Sequence, residues 1–200
     1  MNSPTFDGAP VAHHLRSFPP HPDEHLLPRS PRAAVVSATV TAVASAVTGI
    51  LQVVHEPSGE STVVGVEHVL IGGLSLLLVA QLPFLFWLAP VRRTWPAWVA
   101  GLGMVPLAAV ATISNVRGED PSFFAAVALP ANALWFLGLV ALAVVARDTT
   151  WLPRGLVVAL PLTWAGTIPL SGLGGGVVVA ALWAGAAWVV HARAHDEAGR

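Results

Sequence analysis

Cysteine is absent from this chain of 200 residues, and so is lysine. The first absence excludes disulfides, thiolate zinc sites, iron–sulfur clusters and cysteine nucleophiles, so a metal would have to sit on His and carboxylate. The second leaves all ten basic residues as Arg, which beside abundant Ala, Val, Gly and Pro reads as the codon bias of a GC-rich bacterial source. Charge is scarce as well, at 10% of residues with a net charge of −1. Nucleic acid needs a basic face that this composition lacks, so none is expected as a partner. Catalytic patterns are also missing: there is no Ser-His-Asp order, no glycine-rich phosphate loop and no buried carboxylate pair. The expectation is a non-enzymatic protein with no cofactor. GLGGG from Gly172 follows no strand and opens an apolar segment, where packing explains it better than nucleotide binding.

What is present is apolar length. Hydrophobic residues make up 54% of the chain and the mean hydropathy is +0.68, which is not a soluble composition. Six segments approach the twenty or so residues that a hydrocarbon core of about 30 Å requires. They are Ala33 to Val54, Val66 to Leu88, Trp95 to Ile113, Phe123 to Val145, Leu152 to Leu170 and Leu173 to Val190. The predicted fold class is therefore all-α, a polytopic integral membrane protein built as a six-helix transmembrane bundle over residues 33–190. Short loops make consecutive helices antiparallel neighbours. Residues 191–200 form a short tail. Residues 1–32 hold seven prolines and four histidines without an apolar run, and are expected to be a disordered tail. Their composition is not that of a signal peptide, because the first apolar segment begins late and is too long for an h-region. His13, His14, His21 and His25 follow no ligand spacing.

Arginine sets the expected orientation, since positive charge in short loops stays in the cytoplasm. Arg16, Arg29, Arg32, Arg92, Arg93, Arg147, Arg154, Arg193 and Arg200 fall on one side of the alternating topology, and Arg117 alone on the other. Both termini are thus expected in the cytoplasm, with the cell membrane as the location. Trp87, Trp95, Trp98, Trp151 and Trp188 fall near the inner boundary, where an amphipathic ring prefers the headgroups.

The first segment carries its polar residues in one row. At about 100° per residue, Ser37, Thr41, Ser45, Thr48, Gln52, His55 and Glu56 share an arc of roughly 100°, with Thr39 off it. Lipid offers no hydrogen-bond partner, so the row should face protein and the Val side should face acyl chains. Small residues at every fourth place, Ser37, Thr41, Ser45 and Gly49 on the first segment and Gly172, Gly176, Ala180 and Ala184 on the last, form close-packing seams. These faces are the expected route to a membrane-protein partner or to self-association, beside the lipid bilayer itself.

Pro83, Pro106, Pro130 and Pro161 fall inside predicted helices, where each frees the carbonyl four residues earlier: Val79, Leu102, Ala126 and Val157. Such carbonyls are packing features in many membrane helices and solute ligands in the broken helices of transporters. A faint repeat pairs Pro106 and Thr112 with Pro161 and Thr167, each fifty-five residues on.

No ionisable residue lies in the middle third of a predicted helix, which argues against a proton-coupled pump. The intramembrane polar residues are two amides, Gln81 and Asn132, read as glue between helices. The informative cluster is the outer end of the first hairpin, HEPSGESTVVGVEH, where Gln52, His55, Glu56, Glu67 and His68 are expected to converge as a vestibule. Asn115, Arg117, Glu119 and Asp120 would form its second rim. Four readings apply to this cluster: a solvated loop, a pH-responsive or substrate-binding vestibule, a divalent-metal site, and haem between His55 and His68. The function expected is a structural, sensory or complex-forming membrane component. The alternatives are a small-solute or ion carrier and a metal- or haem-binding membrane protein.

Overall fold

The computed structural model describes residues 30–55, 63, 65–147 and 152–198. The predicted disordered tail lies outside the described residues as far as Arg29, and its last two residues already belong to the first helix. The helices are α1 (Pro31–Val54), α2 (Val66–Ala80), α3 (Leu82–Leu88), α4 (Trp95–Arg117), α5 (Phe124–Ala146), α6 (Arg154–Val158), α7 (Leu162–Thr167) and α8 (Gly175–Ala198), with a 3-10 turn at Ser171–Leu173. Five stretches are long and apolar enough to cross a membrane: Pro31–Val54, Val66–Leu88, Trp95–Arg117, Phe124–Ala146 and Gly175–Asp196. Such a chain is a helical membrane protein by length and composition.

Local chemistry sets the helix ends. Pro31 opens α1 at its first position, where the missing N–H is not needed. Gly118 closes α4 with φ 73°, and its N–H reaches the Ser114 carbonyl at 2.9 Å; a side chain would be strained in that left-handed cap. Without such a stop, α8 runs past the predicted Val190 boundary to Ala198.

The helices close a ring in the order α1, α2–α3, α4, α5, α6–α7, α8 and back to α1. Close approaches give their directions. On one side of α1, Ser37 meets Ala80 and Phe84 while Thr48 meets Gly73, so α1 and α2–α3 are antiparallel. On the other side, Gly49 lies against Gly176 while Pro31 and Val35 share a groove with His191 and Ala194, so α1 and α8 are antiparallel too. The α4–α5 pair crosses at Gly103 against Ala131 and at Gly138 against Ala100. A Cβ on Gly49 would fall 2.7 Å from the Gly176 carbonyl carbon, so this seam requires glycine for its separation.

The row on α1 faces inward as the sequence implies. Ser37, Thr41, Ser45 and Thr48 are buried, Thr39 is exposed, and Val36, Val40, Val43, Val47 and Ile50 form the outward stripe. The centre of the ring is filled by Leu77, Leu78, Phe84, Met104, Trp135, Leu139 and Trp183, each almost wholly buried.

The expected fifth span, Leu152 to Leu170, departs from the reading as one helix. It is divided into α6 and α7, because Pro161 supplies no N–H to Val157 and its ring crowds that carbonyl. The Val157 carbonyl instead accepts the Leu160 N–H at 3.2 Å, and Leu162 and Thr163 bond back to Ala159 and Leu160 at 2.9 Å, a tight turn in place of α-helix. The segment still packs alongside α8, with Leu156 beside Gly185, Thr163 bonded to Trp183 and Gly166 against Gly175. Pro106 and Pro130 lie within unbroken helices, so the proposed Pro106–Pro161 repeat does not extend to backbone structure.

Candidate functional site

At the end of the bundle that carries Val53 and Val63, the polar residues form two pairs. His55 caps α1, its N–H on the Leu51 carbonyl at 2.9 Å. Its Nε2 stands 4.0 Å from Glu67 Oε1, with the His55 side chain 33% exposed and that of Glu67 16%. This is too long for a hydrogen bond and short enough for an ion pair once His55 takes a proton. His68 turns elsewhere: its Nδ1 lies 2.7 Å from Asn115 Oδ1 on α4. Since an amide oxygen only accepts, Nδ1 carries the hydrogen in that bond.

The division follows from helix geometry. Glu67 and His68 are consecutive on α2, hence about 100° apart around its axis, and α2 lies between α1 and α4. Glu67 reaches α1 and His68 reaches α4. Asn115 also sits over Gly72, where an added Cβ would come 3.5 Å from its Nδ2. Gln52 is half-buried one turn inside His55. Glu56 lies outside the described residues. Among the described residues, no three His, Asp or Glu side chains are grouped as a metal ligand set.

The loop after α4 meets the one between α1 and α2 through its backbone, the Val63 N–H donating to the Gly118 carbonyl at 2.7 Å. Arg117 and Glu119 form an exposed ion pair at 3.2 Å, which in water contributes little. Asp120 is exposed.

Deeper in the bundle the two amides differ. Asn132 Nδ2 donates to the Ala128 carbonyl at 2.9 Å and its Oδ1 accepts from Trp164 Nε1 at 3.1 Å, joining α5 to α7. Gln81 is wholly buried; its Nε2 reaches the Leu77 carbonyl of its own helix at 3.2 Å, while its Oε1 has no partner among the described residues. Ser45 Oγ and Trp135 Nε1 are likewise buried without partners there.

Sequence reasoning missed three groups. Trp183 Nε1 donates to Thr163 Oγ1 at 3.2 Å, Trp164 holds Asn132, and Ser37 bridges the break between α2 and α3. The Ser37 hydroxyl donates to the Ala80 carbonyl and accepts the Phe84 N–H, two groups that would bond each other in a continuous helix. Its signal was available: a hydroxyl in an inward row, level with Pro83 on the returning helix. No family model, curated protein or solved structure matches this chain.

Proposed function

We propose that this chain is a non-enzymatic, multi-pass component of the cell membrane, structural or complex-forming, rather than a carrier. The observation that carries this reading is the filled centre: Gln81, the deepest amide on α2–α3, has no exposed surface and is ringed by a core that includes Leu77, Leu78 and Phe84. A solute path would have to displace these side chains. Purified protein in liposomes should show no saturable uptake of amino acids, sugars or monovalent ions. Uptake abolished by Gln81→Leu would overturn the reading and favour the carrier.

The accompanying topology is six crossings with both termini in the cytoplasm. Its support is the clustering of Arg32, Arg92, Arg93, Arg147, Arg154 and Arg193 toward one end of the antiparallel ring and of Arg117 toward the other. The sixth crossing is the broken α6–α7 segment, which runs antiparallel to α8. Cysteine introduced at Arg92 should resist an impermeant label applied to intact cells, and cysteine at Ser58 should react. The reverse pattern would invert the protein.

A second reading, pH sensing at the outer rim, is favoured by the 4.0 Å gap between His55 and Glu67. Protonation of His55 turns that gap into an attraction between α1 and α2, while His68 keeps its bond to Asn115 through the Nδ1 hydrogen in either state. Distance measurements between spin labels on α1 and α2 at pH 5 and pH 8 test it. A separation unchanged by pH, or a change that persists in His55→Gln, would dismiss it.

A further inference from the structure

Two grooves meet at Arg32, one on each side of the first turn of α1. The first, of about 400 Å³, lies between α1 and the end of α8, with Val35, His191, Ala194 and His195 along its walls. The second, of about 490 Å³, follows α1 beside the α2–α3 break and is walled by Val36, Val40, Ala80 and Pro83. Arg32 and Val36 belong to both. Their chemistry differs. In the first, two imidazoles stacked edge to face, with centroids 4.5 Å apart, line the same groove as Arg32. In the second, the one polar side chain besides Arg32 is Ser37, whose hydroxyl is already taken by Ala80 and Phe84. Among the described residues no carboxylate pairs with Arg32.

We propose that the two grooves together hold one anionic phospholipid, its phosphate against Arg32, His191 and His195 and one acyl chain along Val36, Val40, Ala80 and Pro83. Scale agrees with this occupant. From Arg32 to Val40 the helix rises about 12 Å, which carries a chain from the headgroup level most of the way through one leaflet's share of a core about 30 Å thick. Access agrees as well, because Val36 and Val40 belong to the outward Val stripe of α1 and are reached from the acyl region of a bilayer. Free phosphate would use the Arg and imidazoles and leave the apolar groove without an occupant. A zwitterionic headgroup would bring its own ammonium toward Arg32. Basic pockets between helices at the cytoplasmic end of membrane proteins take anionic headgroups for the same electrostatic reason. The inference needs the membrane-spanning bundle alone and stands whether or not the protein forms a complex.

Native mass spectrometry of the full chain in mild detergent, with phosphatidylglycerol or phosphatidylcholine added at equal mole fraction, tests the site. One phosphatidylglycerol per chain should be retained in preference to phosphatidylcholine. Arg32→Gln should weaken its retention about fivefold, the effect of one basic residue near an anionic headgroup. Val40→Trp should lower retention by filling the groove with Arg32 intact, and Arg92→Gln, outside both grooves, should leave it unchanged. Should Arg32→Gln fail to give monodisperse protein, His191→Asn with His195→Asn is read in its place. Equal retention of the two lipids, or parental retention in Arg32→Gln or Val40→Trp, overturns the proposal. Displacement of phosphatidylglycerol by millimolar inorganic phosphate would also overturn it, by assigning Arg32 to a free anion.

Discussion

Replacing Ser37 by Ala removes the hydroxyl that spans the break at Pro83 and strands two backbone groups at once. The Phe84 N–H is fully buried, and the Ala80 carbonyl is on a half-buried residue. Leaving a buried donor or acceptor unpaired costs about 1–3 kcal/mol. Some of this is recovered if the two groups bond each other, but that needs a regular helix through Pro83, whose ring crowds the Val79 carbonyl. Hydrogen bonds between helices in membranes measure only about 0.6 kcal/mol on average, because the separated helices find other partners. The present case lies above that average, since the Phe84 N–H is left without the helical partner that an intact turn would provide. A loss of about 1–3 kcal/mol follows. Steric-trapping or SDS unfolding in mixed micelles measures it, and a double-mutant cycle with Pro83→Ala isolates the cause. In the Pro83→Ala background a continuous helix can close Ala80 onto Phe84 without help, so Ser37→Ala should become nearly silent. If the two substitutions are additive within about 0.5 kcal/mol, the hydroxyl does not serve as the bridge and the reasoning fails.

Two further outcomes follow from the packing. Gly176→Ala would place a methyl group 2.5 Å from the Gly49 Cα, so α1 and α8 must separate; the expected loss is about 1–3 kcal/mol, read as a lower aggregation temperature in detergent, and a parental value would contradict the seam. Asn132→Leu removes the acceptor of Trp164 Nε1 and should cost about 0.6–1.7 kcal/mol with a blue shift of tryptophan emission, whereas unchanged emission would show that the bond is absent in solution.

The residues that were legible in the sequence are those whose partner is the solvent itself. Val36, Val40, Val43, Val47 and Ile50 recur at helical spacing because a bilayer covers that side of α1, and this one-dimensional pattern fixes which side Ser37, Thr41, Ser45 and Thr48 must turn inward. Properties that depend on a second helix were not legible. Pro106 and Pro161 look alike in sequence, yet Pro106 lies on a helix locked to α5 by Gly103 and Gly138, while Pro161 lies on a segment with further prolines at Pro153 and Pro169. Where long mutual packing exceeds the roughly 3 kcal/mol cost of an internal proline the helix persists, and where it does not the helix divides. Tryptophan shows the same limit. Position along the membrane predicts an interfacial ring, but the indole donors of Trp164 and Trp183 meet Asn132 and Thr163 only once α7 is placed between α5 and α8.

The outer residues were read as one converging site because a short hairpin brings His55 near Glu67 and His68. Chain proximity constrains distance along the bundle but leaves direction around α2 open, and direction decides the chemistry. Glu67 beside His55 couples α1 to α2, and His68 on Asn115 couples α2 to α4. At the opposite end Ser37 couples α1 to the α2–α3 break, and between these levels Ser75 lies 3.5 Å from the Ala108 carbonyl of α4. Polar links on α2 and α3 thus fall at the start of α2, along its middle and at the break, where the unpartnered Gln81 oxygen is buried beside the Ser37 bridge. The Ser37 bridge therefore sits at the division, where it holds to α1 the two backbone groups that the break leaves apart. Loss of the Ser37 hydroxyl would leave Gln81 and Pro83 as the place where α2–α3 bends most readily, because Pro83 already interrupts the helical bonds there, beside the groove that ends at Arg32.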